Sequence, residues 1–362
     1  MTTLASPPDT DTGLAGSLRT VARLLATPLV PQDFIDLVNP LSSANDLRGR
    51  IEAIEPETAD AATFRIRVGR GWGGHRAGQY VRLGVDVNGV RQWRAYSITS
   101  SPQQTSYITI TVKAVADGLV SNHLPREATA GTLVHLDQAA GDFTLPAQPP
   151  DKLLFVTAGS GITPVMGMLR AHRHELGDVV LVHSARSADD VIFGDELRAL
   201  ARDGAIRLIE HHTNARPRLT AQRLTELVPD WTHRGAWACG PGDLLDGLEK
   251  HYTAAGFSEN LRTERFRAAV TRTGEGGSVE FTRSGTTAET NGSTTLLDAG
   301  EDAGVLMPSG CRMGVCFGCV VPLRNGSVRD VRNGDVTSAR PGDGVLVQTC
   351  ISAAAGPCEL DI

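Results

Sequence analysis

The sequence predicts a multidomain chain: a small antiparallel β-barrel, a doubly wound α/β domain and a short cysteine-bearing third domain. Two changes of pattern and one spacing carry this. Up to residue 149, short runs alternate apolar with polar residues and are punctuated by Gly and Pro, as half-buried antiparallel strands are. After Pro149 and Pro150 the apolar runs become continuous and alternate with helical stretches, as in a parallel sheet covered on both faces. Five of the six cysteines then fall in the last segment, four of them in one spaced set. The length, 362 residues, suits two or three domains at roughly 100–200 residues each.

Residues 1–46 read as an N-terminal extension. Residues 1–15 are rich in Pro, Asp, Thr and Gly and are expected to be disordered. A helical pattern follows at Leu18, Val21, Leu24 and Leu25, then Phe34, Ile35 and Leu37. Residues 47–149 form the barrel, with strands expected at 64–68, 80–85, 94–99, 106–112 and 132–137. Ile108, Ile110 and Val112 share one strand face.

Residues 150–270 form the α/β domain. Strands are expected at 153–157, 179–183, 206–210 and 236–239, and helices at 164–174, 195–202, 220–227 and 243–255. A Gly- and Thr-rich linker at 271–276 leads to the third domain, 277–362.

Composition narrows the function. Hydrophobic residues are 41% and charged residues 21%, an ordinary globular balance. A net charge of −6 argues against binding nucleic acid through its phosphates. No run approaches the ~18–20 apolar residues of a membrane span. The first ten residues lack the basic and apolar regions of a secretory signal. A cytoplasmic location follows as the expectation, peripheral to the membrane at most through a partner. Thiols stay reduced there, so the cysteines need another explanation than disulfides. The third domain holds ten carboxylates against six arginines. Its surface is either simply solvated or an acidic face that steers a basic partner.

Cys311, Cys316, Cys319 and Cys350 have the spacing C-x4-C-x2-C, thirty residues, C. That is the plant-type [2Fe–2S] pattern. A cluster needs a loop that wraps it with backbone N–H groups, and Gly310, Gly314 and Gly318 permit the wrap. Structural zinc would use paired C-x2–4-C units, and the second pair is missing. Four unrelated buried thiols would not crowd three into nine Gly-rich residues. Cys358 reads as a core thiol.

Gly159, Ser160, Gly161, Ile162, Thr163 and Pro164 follow an expected strand and open a helix. The glycines allow close backbone approach, and the helix N-terminus offers N–H groups to a pyrophosphate. A plain strand–helix turn is the alternative. After the next strand an NAD site would place an acid for the ribose hydroxyl. Here Arg186 and Ser187 stand there and suit a 2′-phosphate, favouring NADPH over NADH, although Asp189 and Asp190 lie close by.

Arg94, Ala95, Tyr96 and Ser97 lie in an expected barrel strand. The Arg can pair with a phosphate, the Tyr can lie on a flat ring, and the Ser can hydrogen-bond a ring edge. With a nucleotide domain and an iron–sulfur domain behind it, residues 47–362 resemble the ferredoxin–NADP reductase superfamily, in the branch with a C-terminal plant-type ferredoxin domain.

The resemblance implies a flavin barrel, a nucleotide domain and an α+β β-grasp ferredoxin domain. It assigns Arg94, Tyr96 and Ser97 to the flavin. It assigns Gly118, Ser121 and Asn122, as Gly-x-x-Ser-Asn, to the flavin pyrophosphate, which implies FAD rather than FMN. Residues 78–80 and 141–143 match the family's supporting turns. Cys239, Gly240, Pro241 and Gly242 match the loop under the nicotinamide. Glu264, Arg265 and Phe266 match the Glu-x-Phe segment beside the flavin ring. The implied catalytic positions are Ser97, Cys239, Glu264 and Phe266. For Cys239 a buried strand-end thiol, and for Phe266 a core aromatic, remain open.

Residues 33–41 resemble the leader of actinobacterial NADPH oxidoreductases that feed a membrane stearoyl-CoA Δ9-desaturase. The expected function is therefore electron transfer from NADPH through FAD and a [2Fe–2S] cluster to a di-iron acyl-CoA desaturase. The alternatives are a reductase for a Rieske-type or other soluble oxygenase, and a redox-sensing module without turnover.

Overall fold

The computed structural model describes residues 39–43, 46–87, 89–116, 118–266, 273–310, 312–314 and 316–362. Most of the N-terminal extension, part of the linker and Cys311 lie outside the described residues.

The first sheet has six antiparallel strands: β1 (Arg48–Thr58), β2 (Ala61–Val68), β3 (Tyr80–Val87), β4 (Val90–Ser97), β5 (Tyr107–Lys113) and β6 (Leu133–Leu136). Their order is β4-β3-β6-β1-β2-β5. The sheet closes on itself just past β4, where Ile98 bridges Ile110 and the Thr99 amide donates to the Thr109 carbonyl at 2.8 Å. Ile108, Ile110 and Val112 are fully buried, so the alternation sends them into the barrel core. Strand β1 is not marked by the alternation in the sequence. Its register slips between Ile51 and Ala53 and again between Pro56 and Thr58, and such bulges break the two-residue period. Helix α1 (Leu119–Glu127) crosses between β5 and β6.

The second sheet has five parallel strands: β7 (Lys152–Ala158), β8 (Asp178–Ala185), β9 (Arg207–His212), β10 (Gly235–Cys239) and β11 (Leu261–Glu264). The order β11-β10-β7-β8-β9 reverses direction between β7 and β10. In such sheets ligands bind at that switch point, outside the carboxyl ends of the strands. Helices α2 (Ile162–His172), α3 (Gly194–Arg202), α4 (Ala221–Leu227) and α5 (Gly242–Ala254) cover the faces. Leu153 and Phe155 join one apolar cluster, Leu154 and Val156 another, which explains the unbroken apolar run.

The third sheet is mixed. Strands β12 (Gly277–Phe281), β13 (Thr286–Thr290), β14 (Val320–Asp330), β15 (Val336–Ala339) and β17 (Ser352–Leu360) run in the order β13-β12-β17-β14-β15. Strand β16 (Leu346–Gln348) pairs with β14, and β12 with β17 is a parallel pair. Helix α6 (Leu296–Asp302) packs Leu296 and Leu297 into the domain's own core.

The barrel and the α/β domain share a core: Ala61, Ala77, Phe143 and Leu145 cluster with Phe155, Met168 and Trp237. Trp237 Nε1 donates to the Thr144 carbonyl at 3.3 Å, and Arg170 Nη1 to the Thr99 carbonyl at 3.0 Å. Among the described residues, no helix is long and apolar enough to cross a membrane.

Candidate functional site

Three groups of strand-end loops converge on the barrel. The first belongs to β4. Ser97 ends that strand, 5% exposed, and its Oγ has no hydrogen-bond partner. A buried hydroxyl without a partner is costly unless a ligand supplies one, which fits the edge of a flavin ring. Burial pushes the Tyr96 phenol well above its ordinary range. Arg94 Nη1 donates to the Trp93 carbonyl at 2.8 Å and to Ser309 Oγ at 3.2 Å, so the strand's cation also reaches the third domain.

Gly118 caps helix α1. Asn122 Nδ2 donates to the carbonyls of Val115 and Gly118, each at 2.8 Å, and Ser121 Oγ donates to the Gly118 carbonyl at 3.3 Å. This fixes the loop around an open cavity of about 590 Å³ lined by Val115, Gly118, Asn122 and Arg126. The free N–H groups of a helix start and an arginine suit an anionic pyrophosphate.

The second group sits at the switch point. Gly159 to Gly161 form one tight turn between β7 and α2. A Cβ on Gly161 would lie 2.1 Å from the Cys239 carbonyl oxygen, so the two loops touch and only glycine fits. A Cβ on Gly240 would meet that of Ala158 at 3.2 Å. Thr163 Oγ1 donates to the Ser160 carbonyl at 2.9 Å and holds the turn.

Cys239 is fully buried, and burial reinforced by Glu264 pushes its thiol well above the ordinary value. Cys239 and Glu264 are register partners on β10 and β11. Burial raises the Glu264 carboxyl to about 8, and its Oε2 has no partner. Arg265 turns away to Asp246 and Glu249 at 2.7 and 2.9 Å. Phe266 is 39% exposed, which a core aromatic would not be.

Arg186 and Ser187 lie past the end of β8, where the Asn214 amide donates to the Arg186 carbonyl at 2.9 Å. Both groups have acidic partners, one of them from the barrel. Arg186 Nη2 donates to Asp190 and, at 3.0 Å, to Asp60 of the barrel. Ser187 Oγ donates to Asp190 Oδ2 at 2.7 Å. The nearby acid therefore holds both groups expected to meet a 2′-phosphate. Asp60 sits in a two-residue turn between β1 and β2, and nothing local in the sequence marks it.

The third group is the cysteine loop. Cys319 and Cys350 are buried, and their Sγ atoms share a hydrogen bond at 3.2 Å. With the Cys350 thiol donating, that bond holds the Cys319 thiol below its ordinary value, toward the thiolate that binds metal. The Gly318 amide donates to Cys316 Sγ at 3.4 Å. A Cβ on Gly310 would lie 2.5 Å from that sulfur, and one on Gly318 3.4 Å.

Among the described residues these thiols do not close a three-ligand metal group by themselves. Cys311, next to Gly310, lies outside them. Sulfurs edged by side-chain-free backbone fit an iron–sulfur cluster. Cys358, by contrast, is a buried β17 thiol raised to about 11 by burial.

Three family models match in chain order. The oxidoreductase FAD-binding domain matches residues 48–145, the oxidoreductase NAD-binding domain 155–242, and the 2Fe-2S iron-sulfur cluster binding domain 279–355. An NADPH oxidoreductase of Mycobacterium tuberculosis is 47% identical over 96% of this chain and 92% of its own length. The ferredoxin reductase component of a 3-ketosteroid-9-alpha-monooxygenase from Mycolicibacterium smegmatis is 32% identical, over 79% of this chain and 84% of its own. The solved structure of phthalate dioxygenase reductase superposes with a TM-score of 0.60 at 26% identity, covering 88% of this chain and 98% of that one. The order of FAD, NAD and iron–sulfur domains, the switch-point loops and these relatives together place the chain in the ferredoxin–NADP reductase superfamily, in the branch with a C-terminal [2Fe–2S] domain.

Proposed function

We propose that this oxidoreductase takes electrons from NADPH and passes them through FAD and a [2Fe–2S] cluster to a di-iron acyl-CoA desaturase. The observation that carries the internal route is the contact of the cysteine-loop domain with the flavin-motif strand, Ser309 with Arg94 at 3.2 Å. When bound, the cofactors supply hydride acceptance at the flavin and one-electron transfer at the cluster.

The chain's own residues bind, orient and exclude water. The Ser97 hydroxyl, buried and unpartnered, would pair with the flavin edge. Gly118, Ser121, Asn122 and Arg94 would hold the phosphate end, and Tyr96 the ring side. Gly159, Ser160, Gly161, Thr163 and Gly240 let the nucleotide approach the backbone. Cys239 keeps its proton, and Glu264 keeps its own up to about pH 8, so the floor of the site is uncharged at neutral pH. Phe266, partly exposed, covers the flavin side. Arg186 and Ser187 exchange Asp190 for the 2′-phosphate. Cys311, Cys316, Cys319 and Cys350 hold the cluster.

The desaturase reading rests on residues 33–41, which resemble a desaturase-reductase leader. An oxygenase acceptor is the second reading, favoured by relatives named as monooxygenase reductase components. Reconstituted acyl-CoA desaturation decides between them. The desaturase reading expects turnover faster than with an unrelated ferredoxin reductase. It also expects slowing from about 0.01 to 0.15 M salt, as the screening length falls from ~30 to ~8 Å around the acidic third domain. Turnover no faster than the unrelated reductase hands the assignment to the oxygenase.

A further inference from the structure

Besides Arg94, a second cation stands between the barrel and the cysteine loop. Arg82 is the third residue of β3, on the face opposite Val81 and Leu83, which are fully buried. An outward arginine on a strand is ordinarily solvated. This side chain is only 21% exposed.

Its guanidinium is fixed from two sides. Nη1 meets Asp137 Oδ2 at 2.8 Å, and the guanidinium carbon lies 5.2 Å from the centre of the Trp93 ring. Its Nη2 is turned to the cysteine loop: a Cβ on Gly318 would lie 3.1 Å from it, and one on Gly310 3.3 Å. Those same two positions flank Cys316 Sγ. The guanidinium and the sulfur therefore approach the same pair of glycines, and neither glycine has a side chain to separate them.

Arginine does not lose its proton in a protein. A fixed positive charge beside an iron–sulfur site favours the state that carries one more electron, since net charge around the sulfurs sets the potential. Asp137, paired with the other terminal nitrogen, opposes it. Arg82 and Asp137 thus form a dipole with its positive end toward the loop.

We propose that Arg82 positions the cysteine loop on the barrel and, with Asp137 as its counterweight, sets how far the electron prefers the cluster to the flavin. The inference rests on the assignment of Cys316 as a cluster ligand. The electron moved is the one the flavin already supplies, and no further reductant enters.

The test is the cluster midpoint potential of the holoprotein, followed by electron paramagnetic resonance during a redox titration. Arg82→Gln leaves Asp137 uncompensated and is expected to lower the cluster's share of electrons roughly tenfold, about 59 mV for one electron. Asp137→Asn is expected to move it the opposite way. Arg82→Lys, which keeps the charge, is expected to restore most of the wild-type value. A purely mechanical contact would leave the potential in place in all three, and that result overturns the inference. Shifts of the same sign in Arg82→Gln and Asp137→Asn overturn it as well. Wild-type protein that carries no iron would instead overturn the ligand assignment beneath it.

Discussion

The barrel touches its two neighbours in different ways. Against the α/β domain it contributes Ala61, Ala77, Phe143 and Leu145 to a shared apolar core, and helix α2 lies so close that a Cβ on Gly167 would sit 2.5 Å from the Ile98 carbonyl oxygen. Against the third domain the described contacts are polar: Arg94 with Ser309, and Arg82 at the two glycines. The third domain keeps a core of its own. The two transfers make different demands. A hydride moves only between atoms held at about 3–3.5 Å in one orientation, which a fused core secures. A single electron tolerates a looser seam, and the third domain must also present itself to an acceptor.

The largest break in this comparison comes from Cys316→Ser. The iron is expected to be lost and the flavin kept, because the cores are separate. Cytochrome c reduction then falls close to background while ferricyanide reduction, which draws on the flavin, survives. Full iron content in the purified variant would show that Cys316 is not a ligand.

Next in size is Arg186→Ala, which works on the nucleotide side alone. The KM for NADPH is expected to rise roughly ten- to hundredfold, the worth of a charge-assisted hydrogen bond, with that for NADH much less affected. Steady-state kinetics with both nucleotides check it, and equal effects would remove Arg186 from the 2′-phosphate.

The same substitution at the two seams gives a smaller and more direct contrast. Gly167→Ala forces a methyl onto a backbone carbonyl, and overpacking of about 1–3 kcal/mol outweighs the helix gain of about 1 kcal/mol. Gly318→Ala would bring a Cβ to 3.1 Å from Arg82 Nη2 and 3.4 Å from Cys316 Sγ and the Gly310 Cα. Those contacts yield by a few tenths of an ångström, and the change is expected to cost less than about 1 kcal/mol. Urea unfolding of both variants measures the difference, and equal losses would deny that one seam is the tighter.

The last contrast is a slope with pH rather than a single loss. The Glu264 carboxyl is raised to about 8 in the folded protein by burial, from an ordinary value of 4.5. Between these values the unfolded chain loses this proton and the folded chain keeps it. Its contribution to stability is therefore fully present below pH 4.5, declines as pH rises, and is gone above about 8. Glu264→Gln is expected to flatten the melting temperature across that window.

Much of this layout was legible in the chain. The runs at 153–157 and 106–112 declared a buried parallel strand and a half-buried antiparallel one, because period follows burial directly. The cysteine and glycine spacings marked their loops because those chemistries need several residues close in sequence. The partners were not legible. Asp60 reaches Arg186 from the barrel, and Arg82 reaches Gly310 and Gly318 from β3, only because distant segments fold together. Strand β1 hid behind its two bulges, and β11 behind four residues with little apolar pattern.

The burial of Cys239 and Cys358 makes thiol chemistry a gauge of cluster loading. A thiolate is the species that attacks an alkylating reagent, and both of these thiols are enclosed and held in the protonated form. In the folded protein they should stay silent to iodoacetamide. Loop cysteines bound to iron should stay silent too, and become reactive when the iron leaves, with half-buried Cys316 ahead of buried Cys319 and Cys350. Counting labelled cysteines by mass, without denaturing the protein, would then report the fraction of chains that have lost their cluster.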